Sequence, residues 1–522
     1  MIIEVSVIGE EVRVIAGKMQ KIFFIRENLS LMLAKLKMIN GLKFKNGSPI
    51  YDSRKYGSIS LWSFFQDFIF WKRLYFFVRF SEVIKFITEQ KYTHILVNNR
   101  ELAGVLQMLP GLKVKSKKNF LAYPARLVLK VFGFFISHLA ILILWLRKTP
   151  YLVYSPDIAV GKYACDFRLT SLYEFLMSRK IKFQEIFHTN IGLNFIRNFV
   201  RRWRGVLYLE SLVFFTSKTD FNPAAVSWPN LPDYERFFLG LVLKEVDRMC
   251  NHSAKLIKKL IFIFKYSNVK KLAALDDMRY TNELIIACRE NSIATFGFQH
   301  GQFTKYHIGW MHYDMPPENS VTFDTLFVWN SYWQNILCQY SLKYTLENTA
   351  ISGAPKKFFG EVKKRDKPAS PKNLLILFES FVSKNEIQPY INRLLDCGFV
   401  LYLSLRPDLP KNAQLQRYGL VGNNSVQVVS KLDAQIISEL DAVVGVHSTL
   451  LSELMYYDLP VFQIESSFDL GHQLRDNSLS IALPKNFTTE YINSAIDSFQ
   501  SKKNVVWPSA PSINETYQKI FS

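Results

Sequence analysis

The chain has 522 residues, more than one hydrophobic core usually organises, and 49% hydrophobic against 21% charged residues rules out a disordered chain. A formal net charge of +21 calls for an anionic partner, either nucleic acid, an acidic membrane surface or a phosphorylated substrate. No zinc spacing, RNA-recognition signature or convincing helix-turn-helix appears, which argues against nucleic acid.

The five cysteines, Cys165, Cys250, Cys288, Cys338 and Cys397, include no CxxC pair. Their odd number and wide spacing argue for a reducing compartment and against a disulfide framework or zinc site. His252, His307, His312 and His472 show no metal-ligand spacing, so no metal and no cofactor are expected. Residues 1–25 carry Glu4, Glu10 and Glu11 and no cleavable signal pattern, so the expected location is the cytoplasm.

In chain order, Glu11–Ala16 reads as a first strand and residues 17–60 as mixed. Leu61–Glu89 is aromatic-rich and reads as helical, and Thr93–Asn98 as a strand. Lys113–Lys118 is a basic segment. Arg126–Lys148 is the most apolar stretch, with an uncharged core of 16 residues, Val131–Leu146. A membrane span needs ~20 apolar residues, and this stretch runs almost directly into the strand Tyr151–Ser155. A buried or interfacial helix is therefore expected, peripheral to the membrane, with His138 a core or interfacial residue. The interleaving of aromatics with Lys and Arg in the N-terminal third also suits a membrane interface.

From Tyr151 onward, strands and helices alternate. Strands are expected at Lys182–Phe187, Val269–Leu275, Ala294–Phe298 and Thr325–Trp329, with one long helix or two over Phe237–Phe264. Lys356–Lys372 carries two prolines and many charges and reads as a linker. The alternation restarts at Leu374–Phe378 and continues through Val400–Leu405, Val426–Val429, Ala442–Val446 and Val461–Ile464. This pattern predicts an α/β protein with two Rossmann-like domains facing a cleft: residues 1–355, a linker at 356–372, and 373–522, whose last helix can pack back on the first domain.

Chemistry-bearing residues collect at strand ends, where ligands bind in open α/β sheets. Gln299, His300 and Gly301 follow the strand Ala294–Phe298. His300 can serve as a base near neutral pH, and Gly301 permits positive φ and close backbone approach. Asp276 and Asp277 end the preceding strand, as a general base or as caps of the next helix. Arg406 follows Val400–Leu405, where a guanidinium can pair a phosphate. His447, Ser448 and Thr449 follow Ala442–Val446, with Glu453 one turn into the next helix. Ser448 or Thr449 can cap that helix, and its first N–H groups would suit a phosphate.

The stretch IATFGFQHGQFTKYHIGW, with the later WNSYWQNIL and LDAVVGVHSTLLSELMYYDLPVFQI, resembles bacterial glycosyltransferases of surface and capsular polysaccharide assembly. The second half resembles the donor domain of the GT-B architecture and the Ser-rich motif of sialyl- and Kdo-type transferases. The resemblance covers roughly residues 270–470. It implies a nucleotide-sugar donor held by Arg406, His447, Ser448, Thr449 and Glu453, with His300, Asp276 or Asp277 as base. Arg406-Pro407 stands where those families commonly have His-Pro, and Met278 follows Asp277 where the sialyl type commonly has Gly. The implied activity is metal-independent sugar transfer to a glycan or lipid-linked acceptor at the inner membrane surface. A sugar-nucleotide epimerase of the same architecture and a non-catalytic scaffold subunit are the rival readings.

Overall fold

The computed structural model describes residues 2–8, 10–25, 28–116, 122–156, 166–188, 207–213, 219–276, 279–304, 307–311, 316, 320–354, 362, 373–377, 379, 382–406, 410–423, 426–467 and 473–522. The expected linker, Asp277, Pro407, His312, His472 and Cys165 lie outside the described residues, Val362 of the linker excepted.

The first sheet is built from β1 (Ile2–Ile8), β2 (Glu11–Ala16), β3 (Met19–Phe24), β7 (His94–Val97) and β8 (Lys113–Ser116), in the order β3-β2-β1-β7-β8. The strand expected first is thus the second, and the basic segment at Lys113 is itself a strand. Three short antiparallel pieces, β4 (Lys43–Phe44), β5 (Lys55–Tyr56) and β6 (Ile59–Ser60), lie in the connection. β4 pairs with β12 (Val226–Ser227).

Leu61–Glu89 is helical but not one helix. It runs as a 3-10 segment Leu61–Phe65, a π-helical segment Phe68–Leu74, and two α-helices, Tyr75–Arg79 and Ser81–Glu89. Ile69, Phe70, Leu74, Phe77 and Phe80 are all buried, and they do not form one 3.6-residue stripe. The wider π turn redistributes side chains that a regular helix would spread around its surface.

The second sheet is β9 (Tyr151–Pro156), β10 (Phe183–His188), β11 (Leu207–Tyr208), β13 (Lys271–Leu275), β14 (Ala294–Phe298), β15 (Thr325–Val328) and β16 (Thr349–Ile351). All its strands are parallel, in the order β11-β10-β9-β13-β14-β15-β16. Alternate residues serve different cores, as the two-residue period of a strand requires. Leu152, Tyr154, Leu272 and Ala274 join the large core with the helices Ala122–Arg147, Asp233–Lys265 and Thr281–Arg289. Val153, Ala273 and Leu275 face the other way, toward Leu172, Tyr173, Tyr517, Ile520 and Phe521. The last helix, Ile513–Phe521, therefore packs on this sheet, and Tyr517 Oη lies 2.9 Å from Ser171 Oγ.

The expected helix over Phe237–Phe264 is one continuous helix of 33 residues, Asp233–Lys265. It ties the first sheet's helices to the second sheet through the ion pairs Lys35–Glu235, Arg54–Asp247 (2.7 Å) and Arg73–Glu245 (2.6 Å).

The third sheet is β17 (Asn373–Leu377), β18 (Val400–Ser404), β19 (Val426–Val429), β20 (Ala442–Gly445), β21 (Val461–Gln463) and β22 (Ile481–Ala482). Its order is β19-β18-β17-β20-β21-β22, all parallel. Counted along the chain this is 3-2-1-4-5-6, the Rossmann order, and the second sheet follows the same rule with a seventh strand added. The order reverses between β17 and β20 in one sheet and between β9 and β13 in the other. Ligand crevices open at such reversals, outside the carboxyl ends. The two sheets bring these ends together. The Gln302 side-chain amide donates to the His447 carbonyl, and a Cβ built on Gly301 would lie 3.6 Å from Thr449 Oγ1. The protein is α/β with two Rossmann-like units facing a cleft, a GT-B-like arrangement, and carries a further five-stranded sheet in residues 2–116.

Candidate functional site

Asp276 directly follows β13 and is fully buried. Its Oδ1 accepts from the backbone N–H of His300 (3.1 Å) and lies 2.6 Å from His300 Nδ1. A carboxylate only accepts, so Nδ1 carries the hydrogen and Nε2 is left as the basic nitrogen. Asp276 does not cap the next helix, whose N-cap is Tyr280, with no side-chain cap bond. Asp276 Oδ2 is buried without a hydrogen-bond partner. Half-satisfied buried carboxylates are costly, and they concentrate where chemistry needs them. The His300 ring packs beside Trp310, with centroids 5.2 Å apart.

The turn itself is locked from below. Gln299 Nε2 donates to the Gly301 carbonyl (2.8 Å), and Gln299 Oε1 accepts from the Trp329 backbone (2.9 Å). Gly301 is not in the left-handed region, and the 3.6 Å to Thr449 is ordinary contact. The positive φ that Gly301 permits is not used, because the locked turn keeps ordinary backbone angles.

Across the cleft, Ser448 caps the helix Thr449–Met455, accepting from Leu450 N at 3.3 Å. The backbone N–H groups of the turn just before this helix are held from within the protein. Glu379, two residues past β17, places Oε1 3.1 Å from Val446 N, 3.1 Å from His447 N and 2.9 Å from Ser448 N. The carboxylate thus fixes the turn that leads into the helix start. Gly445 makes room for it, since a Cβ there would come within 3.3 Å of Glu379 Oε1 and 3.0 Å of Leu451 Cδ2. Tyr418 Oη accepts from Glu379 N (2.7 Å) and donates to the Leu377 carbonyl (3.1 Å). What the turn offers a ligand is side chains: the Ser448 and Thr449 hydroxyls and the His447 ring, whose Nε2 lies 3.7 Å from Glu379 Oε2.

Arg406 is exposed at the carboxyl end of β18, with its backbone clamped by Gln414 (2.8 Å in both directions). Glu453 is half-buried one turn into the Ser448-capped helix. The structure thus joins His300 to Asp276, and their turn to His447, Ser448 and Thr449. Arg406 stands at the edge of the same sheet.

Sequence reasoning missed two acids. Glu379 was findable, because it follows the central strand as His300 and His447 follow theirs. Asp67 was not, because it lies inside the aromatic helical stretch. Solvent reaches Asp67, yet burial pushes its carboxyl up to about 6, against the pull of Lys72 and His300.

Two histidines near the second sheet's carboxyl edge give a pH dependence. Burial, reinforced by His300 and Lys343, lowers His307 to about 3. Burial, reinforced by Arg279, lowers His188 to about 4. In the unfolded chain both take up a proton near pH 6.5. Stability is therefore full above that pH and falls as pH drops toward 4. The loss is up to about 1.4 kcal/mol per pH unit for each histidine. Urea midpoints at about pH 7.5 and 5.5 read the slope, and the double variant His188→Gln/His307→Gln should flatten it. An unchanged slope would assign the acid sensitivity to other groups.

Among the described residues no three His, Cys, Asp or Glu side chains are grouped to hold a metal. No family model matches the chain, and no curated protein matches it. Among solved structures, MurG of Acinetobacter baumannii aligns with a TM-score of 0.42 at 12% identity, over 71% of this chain and 99% of that one. UDP-GlcNAc 2-epimerase of Methanocaldococcus jannaschii aligns at 0.43 and 9% identity, over 71% and 99%. The calicheamicin glycosyltransferase CalG4 aligns at 0.39 and 9% identity, over 71% and 93%.

Proposed function

We propose that the chain is a glycosyltransferase that moves a sugar from a nucleotide-sugar donor to a lipid-linked or growing surface glycan at the cytoplasmic membrane face. The observation that carries this reading is the meeting of the His300–Asp276 pair with the His447–Ser448–Thr449 turn, each at a strand-order reversal of a Rossmann-like sheet or one strand from it. An acceptor hydroxyl bound near His300 passes its proton to Nε2 as its oxygen attacks the anomeric carbon. The bond from that carbon to the nucleotide phosphate breaks, and the electron pair leaves with the phosphate. Asp276 holds the imidazole in the accepting tautomer and stabilises the imidazolium that forms. Ser448 and Thr449 hydrogen-bond the leaving phosphate, His447 and Arg406 offset its charge, and Glu453 accepts from a ribose hydroxyl.

The first measurement is a thermal-shift screen with CMP, UDP, GDP and CDP, followed by incubation with the matching nucleotide sugars. Release of nucleotide with sugar transfer or hydrolysis supports the proposal. Epimerised free donor would identify an epimerase instead, and the absence of any nucleotide binding would leave a scaffold subunit. Replacing Ser448 and Thr449 together by Ala should weaken nucleotide binding about tenfold, two neutral hydrogen bonds at about 0.5–1.5 kcal/mol each. The lost cap should cost about 1 kcal/mol of stability. Calorimetry showing wild-type affinity in the folded variant would remove this turn from the phosphate site.

A further inference from the structure

From Val131 onward, the helix Ala122–Arg147 is packed on one side only. Ser137, Ala140, Ile141 and Leu144 are buried, and Ser137 Oγ donates to the Tyr208 carbonyl at 3.2 Å. The opposite side leaves Val131, Phe132, Phe135, Leu139, Leu142 and Leu146 in solvent, Phe135 at 66% and Leu146 at 72% exposure. Their spacing of three and four residues makes one continuous strip, about 22 Å long at 1.5 Å per residue.

The strip does not stop at the helix. Trp145 donates to the Ile263 carbonyl (2.9 Å), and its ring lies 6.2 Å from Phe262 and 6.1 Å from Tyr266. Phe262 and Tyr266 are themselves 54% and 57% exposed, so the apolar surface continues onto the Asp233–Lys265 helix. Its rim is basic. Lys255, Lys258 and Lys265 are exposed on that helix, and Arg147 and Lys148 at the end of the other. Neither 122–150 nor 248–270 contains a single Asp or Glu. No helix among the described residues is long and apolar enough to cross a membrane.

We propose that this two-helix face docks the protein on an anionic phospholipid bilayer, with the Ala122–Arg147 helix lying in the plane of the interface. A patch of this size is more than a soluble monomer ordinarily shows to water. The occupant follows from charge: an acid-free rim of lysines and arginines around an aromatic-aliphatic strip matches acidic headgroups over acyl chains. A neutral protein partner would leave that rim unpaired. The inference deepens the membrane-face part of the proposed function; its evidence is the surface alone, so docking and sugar transfer can each fail without the other.

The test is flotation of the full chain with vesicles of phosphatidylcholine and phosphatidylglycerol in equal parts, and with phosphatidylcholine alone. The wild type should float with the mixed vesicles and far less with the neutral ones, and high salt should release it. Phe135→Ser/Leu139→Ser should cut partitioning tenfold or more, and Lys255→Gln/Lys258→Gln should remove the preference for the anionic vesicles. Both variants change exposed side chains, so both should keep the wild-type thermal midpoint. A wild type that ignores both vesicle types overturns the proposal, as does a Phe135→Ser/Leu139→Ser variant that floats like the wild type. A wild-type dimer in analytical ultracentrifugation, split by that variant, would also overturn it by assigning the face to a second copy.

Discussion

Glu379→Ala is expected to destabilise the protein by about 3–5 kcal/mol, read as a lower urea midpoint. One carboxylate oxygen accepts three backbone N–H groups, from Val446, His447 and Ser448, and the side chain is nearly fully buried. Each buried donor left unsatisfied costs about 1–3 kcal/mol, and water from the cleft recovers part of that at His447 and Ser448. Glu379→Gln keeps one acceptor oxygen but loses the charge. Charge-assisted bonds are roughly twice as strong as neutral ones, so this variant should cost about half as much. Unfolding of both variants at the wild-type midpoint would show that the turn holds itself without the carboxylate. Gln463 supports the same turn by donating to the Val446 carbonyl (2.6 Å), so a small residual order after the Ala change is expected.

Asp276→Asn is expected to do the opposite: little change in stability and a large loss of activity. The carboxylate is buried with one oxygen unpartnered, so removing its charge relieves a cost. An amide at this position presents either an oxygen or an NH2 group to His300 Nδ1. It can fix the ring in the wrong tautomer, and it no longer stabilises the imidazolium. Loss of a positioned acid–base group is worth about 10²–10⁴ in rate. kcat/KM for sugar transfer or donor hydrolysis should fall by that range in Asp276→Asn and in His300→Ala. The double variant should be little worse than either single one, because the two act as a unit. Activity within tenfold of wild type in both single variants would exclude this pair from the chemistry.

Much of the second and third sheets was legible because buried parallel strands read as short apolar runs, as at Ala442–Gly445 and Lys271–Leu275. Polar residues directly after such runs mark the cleft, and that is how His300, Asp276 and Ser448 could be picked out. The same rule extends to Glu379, which follows the central strand, but does not reveal its role. Its three partners are 67–69 residues away, so the local sequence does not show what the carboxylate holds. The helix start at Ser448 illustrates the limit. Capping chemistry was visible in the residues, but whether the N–H groups met a ligand or a distant side chain depended on tertiary contact. Leu61–Glu89 is helical as read, but its breaks were not legible. Its aromatic density signals burial all round, which hides the period that separates one helix from a π-bulged, broken one. The first sheet was obscured because β1 and β3 flank β2 with only short turns and mixed polarity between them.

The last helix, Ile513–Phe521, sets a clock on biosynthesis. It covers the face of the second sheet that carries Val153, Ala273 and Phe298, yet it leaves the ribosome about 170 residues after β16 completes that sheet. At about 5–20 residues per second the part of the face not covered by Leu172 and Tyr173 stays open for on the order of 10–30 s during each round of translation. Native burial of that face must wait until the third sheet has been made and the chain has returned across the cleft. In that interval the nascent chain displays a half-covered parallel sheet, and chaperone demand should peak there, well after the strands that need protection have been synthesised.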